Sequence, residues 1–252
     1  MTSGAQAQVT AEEVWKSWQD MSKNAGQVMT STSEARSGDT LVVEGVQMSM
    51  DNGQGLVANS DIGTLKFRDT GSGTVEVTMP DAYAMSMTIP PADPSYPEGP
   101  TSLKLNISQP GIVITAGGSA TETSYDFTAP KIDIALTEVT TATGPKDVKF
   151  DVAMTGTAGK YMMGADGAAK TLDSTFSAAT AAINAVGTDA GTTFAVNFAI
   201  ADLNGTTKGN FLGVEMMANM ATALNAGFAS DGGVSYGKTT FDVDVTDRKS
   251  VV

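Results

Sequence analysis

The chain has 252 residues, enough for one large domain or two modest ones, and only 6% of them are aromatic. It contains no cysteine and no histidine, which excludes disulfides, thiol chemistry, histidine-dependent triads and ordinary zinc sites. The formal net charge of −13 argues against nucleic acid and anionic lipid headgroups as partners, because both are bound through basic patches.

The first residues resemble the end of a secretory signal peptide. Ala5-Gln6-Ala7 is the small-x-small pattern at which such peptides are cleaved, although the charged and apolar regions that normally precede it are missing. We predict that residues 1–8 are the remnant of a signal peptide and that the protein is secreted. An ordinary cytoplasmic N-terminus is the alternative. No stretch of the sequence is apolar for long enough to cross a bilayer as a helix.

An amphipathic helix is predicted next. Thr10 and Glu13 have the spacing of a capping box, and Gly26 is a helix terminator. Apolar residues between them form a candidate docking face: Val14, Trp15, Trp18 and Met21. Such a face packs on a sheet of the same chain, or it meets a partner protein or a membrane surface. Acidic residues on the same segment argue against an anionic membrane.

From Thr40 onward apolar and polar residues alternate, as in "TLVVEGVQMSM", "AYAMSMTIP" and "TTFAVNFAIADLNG". The alternating segments are separated by turn sequences such as Asp51-Asn52-Gly53 and Gly117-Gly118. Short strands joined by tight turns pair antiparallel, since parallel pairs need long crossovers. We therefore predict a mainly β fold, an extended antiparallel meander that forms an open curved sheet or a partial barrel.

Two segments are less clear. The Ala-rich stretch 171–186 fits a helix or a weak strand, and its interleaved Thr and Ser residues favour a strand. Apolar residues at helical spacing, Met217, Met220 and Leu224, stand before Gly227 and predict a short helix near 214–226.

Catalytic and metal-binding motifs are weak. Ser235-Tyr236-Gly237-Lys238 has the spacing at which a lysine can activate a serine, but that serine normally opens a helix, and here strand signals follow. Asp242 and Asp244 share one strand face, which suits acid/base or Ca²⁺ chemistry but is more simply a solvated side. We predict that the protein is not an enzyme and has no cofactor or metal.

Methionine is frequent, with 14 in the chain. Flexible thioethers suit a groove for variable apolar ligands and equally suit the filling of gaps in a core. The candidate apolar groove consists of Val46, Met48, Met85 and Met87.

Longer phrases resemble a known family. "VTAEEVWKSWQDMSKNAGQ", "DTGSGTVEVTMPDAY" and "ALNAGFASDGGVSYGKTTFDVDV" are similar to an alphaproteobacterial domain-of-unknown-function family, number 2125. The resemblance runs from Val9 to Val245 and implies a secreted, β-rich periplasmic protein with no functional residues to transfer. A looser similarity to AsmA-like envelope proteins, which handle lipids, rests on fold style alone.

The last six residues, Asp247–Val252, break the strand pattern. They match the translation of a common sequencing adapter, so we predict a non-native tail with few contacts after a single β-rich domain at 9–246, which we interpret as a fragment truncated at its C-terminus.

Two functions remain open. The first is a non-catalytic periplasmic protein that shelters an apolar ligand such as a lipid chain. The second is a structural or protein-interaction module of the cell envelope, acting through its strand edges or through the Trp15/Trp18 helix.

Overall fold

The computed structural model describes residues 9–91, 99–119, 122–164, 170–189, 192–212 and 219–247. Its helices are α1 (Ala11–Asn24) and α2 (Met220–Asn225). Its strands are β1 (Gln27–Thr30), β2 (Ser33–Ser37), β3 (Thr40–Asp51), β4 (Val57–Asp69), β5 (Val75–Thr78), β6 (Ala82–Ile89), β7 (Thr101–Ser108), β8 (Val113–Ser119), β9 (Glu122–Thr141), β10 (Gly144–Pro145), β11 (Val148–Gly164), β12 (Lys170–Asp189), β13 (Thr192–Phe211), β14 (Ser230–Ser235) and β15 (Thr239–Asp247). The predicted signal-peptide remnant and residues 248–252 of the predicted tail lie outside the described residues.

The predicted N-terminal helix is confirmed, with its cap. The Thr10 side chain accepts a hydrogen bond from the backbone N–H of Glu13, and the Glu13 carboxylate accepts one from the backbone N–H of Thr10 at 2.9 Å. The two bonds satisfy N–H groups that the first helical turn leaves without partners. Beyond the C-cap residue Ala25, Gly26 adopts a left-handed conformation with φ of 73°, which turns the chain into β1.

Both unclear segments are resolved. Residues 171–186 lie within strand β12, as the interleaved Thr and Ser residues predicted. The short C-terminal helix is confirmed over Met220–Asn225, where the Asn219 side chain accepts a hydrogen bond from the Thr222 N–H at 3.1 Å. Residues 214–218, the first part of the predicted segment, lie outside the described residues.

All fifteen strands belong to one antiparallel sheet, so the mainly β prediction is confirmed. Within the described ranges no pairing joins β1 or β2 to β14 or β15. The sheet is thus open, with those short strands at its two edges.

Eight of the short strands form four pairs. The two strands of each pair lie end to end and pair with the same long strand, so together they occupy one position in the sheet. Strands β1 and β2 pair with β3, β5 and β6 with β4, β7 and β8 with β9, and β14 and β15 with β13. Together with the six long strands β3, β4, β9, β11, β12 and β13, these four pairs make ten strand positions, apart from the two-residue β10.

Each of the ten positions has an irregular residue at a corresponding place, and these ten residues form one line across the sheet. Their adjacent pairs are Thr32 and Gly45, Gly63 and Pro80, Gly111 and Pro130, Gly156 and Ala179, and Asp202 and Gly237. Gly45 and Gly156 have φ of 60° and 55°, and Asp202 is the one non-glycine residue of the described chain with a positive φ. A bulge bends its strand, so aligned bulges bend the whole sheet. We call this row the bend line.

The bend line divides the sheet into two halves. The first, which we call the helix half, contains β2, β5, β8 and β14. The second, the open half, contains β1, β6, β7 and β15. Each of the six long strands contributes one segment to each half, which gives both halves the same order of strand positions.

The hydrophobic core lies on the helix half, under α1. Fully buried side chains of α1 meet fully buried side chains of β3, β4 and β5, among them Val43, Leu65 and Val77. Phe67 packs against both tryptophans of the helix, with ring centroids 5.8 Å from Trp15 and 5.5 Å from Trp18. The helix buries its apolar stripe on this sheet.

The molecule exposes more surface than a compact protein of its mass. Its accessible surface is 14731 Å², whereas a compact monomer of 25.8 kDa exposes roughly 10,500 Å². The excess agrees with a sheet that is one layer thick over much of its extent.

Candidate apolar binding face

The open half carries a continuous apolar row on one face. Seven consecutive strand positions, from β6 to β15, contribute one side chain each to the register row: Tyr83, Ile107, Ile134, Val152, Ile183, Phe198 and Phe241. Directly paired residues point to the same face, so these side chains stand side by side. The row spans six strand spacings, or about 29 Å at about 4.8 Å each.

At the near end of this face Tyr83 and Met48 pack partly against the core under α1, and within the described part of the chain no second layer covers the row from Ile107 onward. Helix α1 contacts β1, β3 and β4, and its side-chain contacts on β9 and β11 are with helix-half residues, Tyr125 through Ser17 and Tyr161 through Met21. Most side chains of the row are half-buried by their strand neighbours, and Phe241 on the edge strand is 69% exposed. The open half therefore presents a broad apolar surface. Exposed apolar patches of this extent mark binding sites in soluble proteins.

At the other end of the face, methionines flank a recessed floor. Met48 and Met50 on β3 stand on one side of Ala58 and Ser60 on β4, and Met85 and Met87 on β6 stand on the other, since Met48 pairs with Ser60 and Ser60 with Met85. Ala58 and Ser60 are 5% and 3% exposed. Because their side chains are shorter than the methionines beside them, they form the floor of a shallow channel, which we call the methionine channel.

Three of the four predicted groove residues, Met48, Met85 and Met87, thus share the methionine channel. Val46 does not line it. The bulge at Gly45 sets Val46 opposite Gly63 on the bend line, and Val46 is completely buried in the core.

The predicted docking face of the helix lies on the chain's own sheet. Val14 and Trp15 are buried, and Trp18 and Met21 pack partly buried against the same core. Trp15 donates a hydrogen bond from Nε1 to Glu34 Oε1 at 2.8 Å, which fixes the helix to β2. These side chains are occupied by the core of the same chain.

The opposite face of the open half is polar. It holds a cavity of about 670 Å³ whose lining includes Gln47, Asn59, Asp61 and Asn106. Lys104 pairs with Glu138 at 2.8 Å beside it, and that hydrogen bond lowers the pKa of the Glu138 carboxyl. The open half is therefore amphipathic, with its apolar and polar groups on opposite faces.

Three tyrosines on the apolar side have raised pKa values. Burial raises the pKa of Tyr83, which begins the apolar row. Under the helix, Tyr125 and Tyr161 stack with ring centroids 4.8 Å apart, and burial raises the pKa of both. Tyr125 donates a hydrogen bond to Ser17 Oγ at 2.8 Å. These phenols stay neutral and add apolar area.

The remaining candidate groups do not converge. Ser235 ends β14, Lys238 lies in the break before β15, and no hydrogen bond joins their side chains. The carboxylates of Asp242 and Asp244 alternate with apolar residues on the edge strand β15. In the ranges that the structure describes, no group of three or more acidic side chains is placed to hold a metal ion.

Fold and site together define an open, amphipathic antiparallel sheet whose open half has an apolar face that no described element covers beyond Tyr83. Comparison with protein-family models, with curated proteins and with solved structures gives no match to this chain. The resemblance to family 2125 therefore stays a prediction. Neither helix of the described residues has the length and hydropathy needed to cross a bilayer.

Sequence reasoning did not identify the seven-strand row. Each member belongs to an ordinary alternating segment, and the row exists only through the register that places Ile107 beside Ile134 and Ile183 beside Phe198. The alternation itself was visible, but the partner of each residue was not.

Proposed function

We propose that the protein is a non-catalytic periplasmic envelope protein whose open half binds an elongated apolar ligand such as a lipid acyl chain. The observation that carries the proposal is the apolar row across seven strand positions, which no described element covers from Ile107 onward. The periplasmic location and the relationship to family 2125 are part of the same proposal and are supported by the sequence resemblance.

The chemistry of the face fits such a ligand. The row contains aliphatic and aromatic side chains without Asp, Glu, Lys or Arg, so it offers a long apolar contact and no charge to desolvate. The methionine channel continues the same face, and unbranched thioether side chains adapt to ligands of variable shape.

Charge also favours the acyl chain over the headgroup as the bound part. With a net charge of −13, the protein repels anionic headgroups. We therefore expect the ligand to contact the face through its hydrocarbon part.

Matched variants on one central strand test this proposal. Ile134→Asp places a carboxylate within the apolar row, whereas Ala135→Asp places the same carboxylate on the opposite face of β9. A fluorescent fatty-acid probe should bind the wild type and the Ala135→Asp variant equally, and the Ile134→Asp variant about tenfold or more weakly, because binding would bury a charge. Circular dichroism checks that both variants fold.

Extraction of the gently purified wild type, followed by mass spectrometry, should recover lipid. Absence of lipid together with absence of probe binding would remove the proposal, and so would an equal loss of probe binding in the two variants.

A second candidate function is that of a protein-interaction module of the envelope. It is favoured by a separate observation: every residue of β14, and residues 239–246 of β15, are exposed at the edge of the sheet.

A further inference from the structure

The outer edge of β15 is free to pair with another strand. Strand β15 pairs with β13 from Thr239 to Asp247, and within the described chain no strand pairs with its other side. An unpaired strand leaves a row of backbone N–H and C=O groups open to a further chain. Natural edge strands are commonly protected by lysines, prolines or bulges, and residues 239–247 contain none of the first two.

The side chains of β15 separate strictly by chemistry. Phe241, Val243 and Val245 extend the apolar face of the open half and are 69%, 46% and 62% exposed. Asp242 and Asp244 point to the opposite face, beside Asn197 and Ala195 of β13. Added strands would thus find an apolar row on one face and an acidic row on the other.

The two carboxylates have no cationic partner. Neither Asp242 nor Asp244 forms an ion pair or a side-chain hydrogen bond within the described residues, although seven lysines and arginines elsewhere in the sheet and helix do. Their neighbours on β13 are uncharged. An incoming strand with basic side chains would supply a positive charge that the described residues do not place beside these carboxylates.

A second copy of this chain fits the edge poorly. Antiparallel self-pairing centred on Val243 would set Asp242 opposite Asp244 of the other copy, and pairing centred on either aspartate would set it opposite itself. Like charges directly opposite each other destabilise a strand pair. The apolar residues alone would permit this dimer, but the acidic row opposes it.

We propose that the edge of β15 binds a partner by strand addition, and that the partner segment is extended and alternates basic with apolar residues. Main-chain hydrogen bonds would supply affinity, and the alternating side chains would supply specificity. Such a segment is the class of partner that a protein-interaction module would bind at this edge. It rests on the β15 edge alone and does not depend on lipid binding by the apolar row.

Synthetic peptides test the partner chemistry. The probe is a fluorescein-labelled peptide with the alternating core Lys-Val-Lys-Val-Lys-Val-Lys, and its binding is measured by fluorescence anisotropy at low salt. A peptide with the same composition in blocked order controls for net charge, and one with alternate backbone nitrogens methylated controls for strand pairing. We expect the alternating peptide to bind about tenfold more tightly than either control. Equal binding of all three would overturn the inference.

Protein variants locate the site. The double variant Asp242→Lys/Asp244→Lys should bind the probe about tenfold more weakly and gain affinity for the corresponding Glu-Val peptide. Its matched control, Asp61→Lys/Asp151→Lys, makes the same charge change on the polar face of central strands. Equal losses in the two double variants would contradict a site at β15. The wild type could instead dimerise with increasing concentration, and Val243→Lys could abolish this dimer. That result would show that a second copy occupies the edge, and it would overturn the proposed partner segment.

If these peptides do not bind, the fatty-acid assay is unaffected, since that assay reports on Ile134 in the centre of the sheet. The two proposals can therefore fail separately.

Discussion

The helix half and the open half have the same strand order and both present an apolar face, yet one is a core and the other is a surface. On the helix half, α1 covers β3, β4 and β5, and Val43, Leu65 and Phe67 are completely buried. On the open half, residues such as Ile134 of β9 and Phe198 of β13 stay half-buried. The difference shows that alternation defines an apolar face but does not decide whether anything covers it.

The largest expected effect is a difference in unfolding free energy between a Phe→Ala substitution in the helix half and one in the open half. Phe67→Ala removes a ring that packs against Trp15 and Trp18, so we expect the free energy of unfolding to fall by about 3–5 kcal/mol. Phe198→Ala removes a ring of the same size from the open half, and we expect a loss of about 1 kcal/mol, since the ring has no covering layer. Urea unfolding monitored by tryptophan fluorescence measures both. Similar losses would mean that the open half is also a core.

The next largest expected effect is the loss of stability when a glycine of the bend line is replaced. A Cβ on Gly156 would lie 3.0 Å from the Ala179 Cβ, in a backbone with φ of 55° that other residues rarely adopt. We expect Gly156→Val to cost about 2 kcal/mol.

Gly205 is the matched control for this substitution. It also lies in the sheet, and a Cβ there would meet nothing closer than 4.0 Å. We expect Gly205→Val to change the unfolding free energy by less than half as much in the same urea experiment. An equal cost at both glycines would contradict a special role for the bend line.

The cap of α1 tests how far the helix half depends on its helix. Thr10→Ala removes the side-chain acceptor for the Glu13 N–H, and we expect a loss of about 1 kcal/mol. Thr222→Ala in α2 is a control, because the Asn219 cap bonds to the backbone of Thr222 and not to its side chain. Loss of stability in both variants alike would argue against the cap as the cause.

The smallest expected effect is a pH dependence of the stability that Glu12 contributes in the first turn of α1. The hydrogen bond from Arg36 holds the pKa of Glu12 below its usual value of 4.5. A carboxyl whose pKa is lower when folded stabilises the fold above its unfolded pKa and loses that contribution as pH falls through the folded value. Glu12→Gln should therefore be slightly less stable than the wild type at pH 6, and the difference should shrink as the pH falls below 4.5. Glu122→Gln, at an exposed carboxylate outside the helix, is the control in the same pH series.

The sequence was informative where the signal is local. The capping box of Thr10 and Glu13, the terminator Gly26 and the strand at 171–186 all depend on residues within a few positions of one another, and all are confirmed. The predicted groove grouped methionines of β3 and β6, and the register places them on either side of β4, which pairs with both strands.

The bend line was not predictable, because it is made by residues far apart in sequence that carry different signals. Gly45 and Pro80 are ordinary breakers of strands, whereas Asp202 is not. Their alignment depends on register across ten strand positions. The burial of Val46 was missed for the same reason, since the bulge beside it sets it opposite Gly63 on the bend line, where it is part of the core under α1.

Cysteine labelling tests the central claim most directly, because the chain has no cysteine of its own. Single substitutions Ile134→Cys, Ala135→Cys and Val77→Cys place a thiol on the apolar face of the open half, on its polar face, and in the core under α1. In lipid-stripped protein we predict fast maleimide labelling at 134 and 135 and slow labelling at 77, with fatty acid protecting position 134 alone. Labelling at 134 as slow as at 77 without fatty acid would contradict an uncovered apolar face.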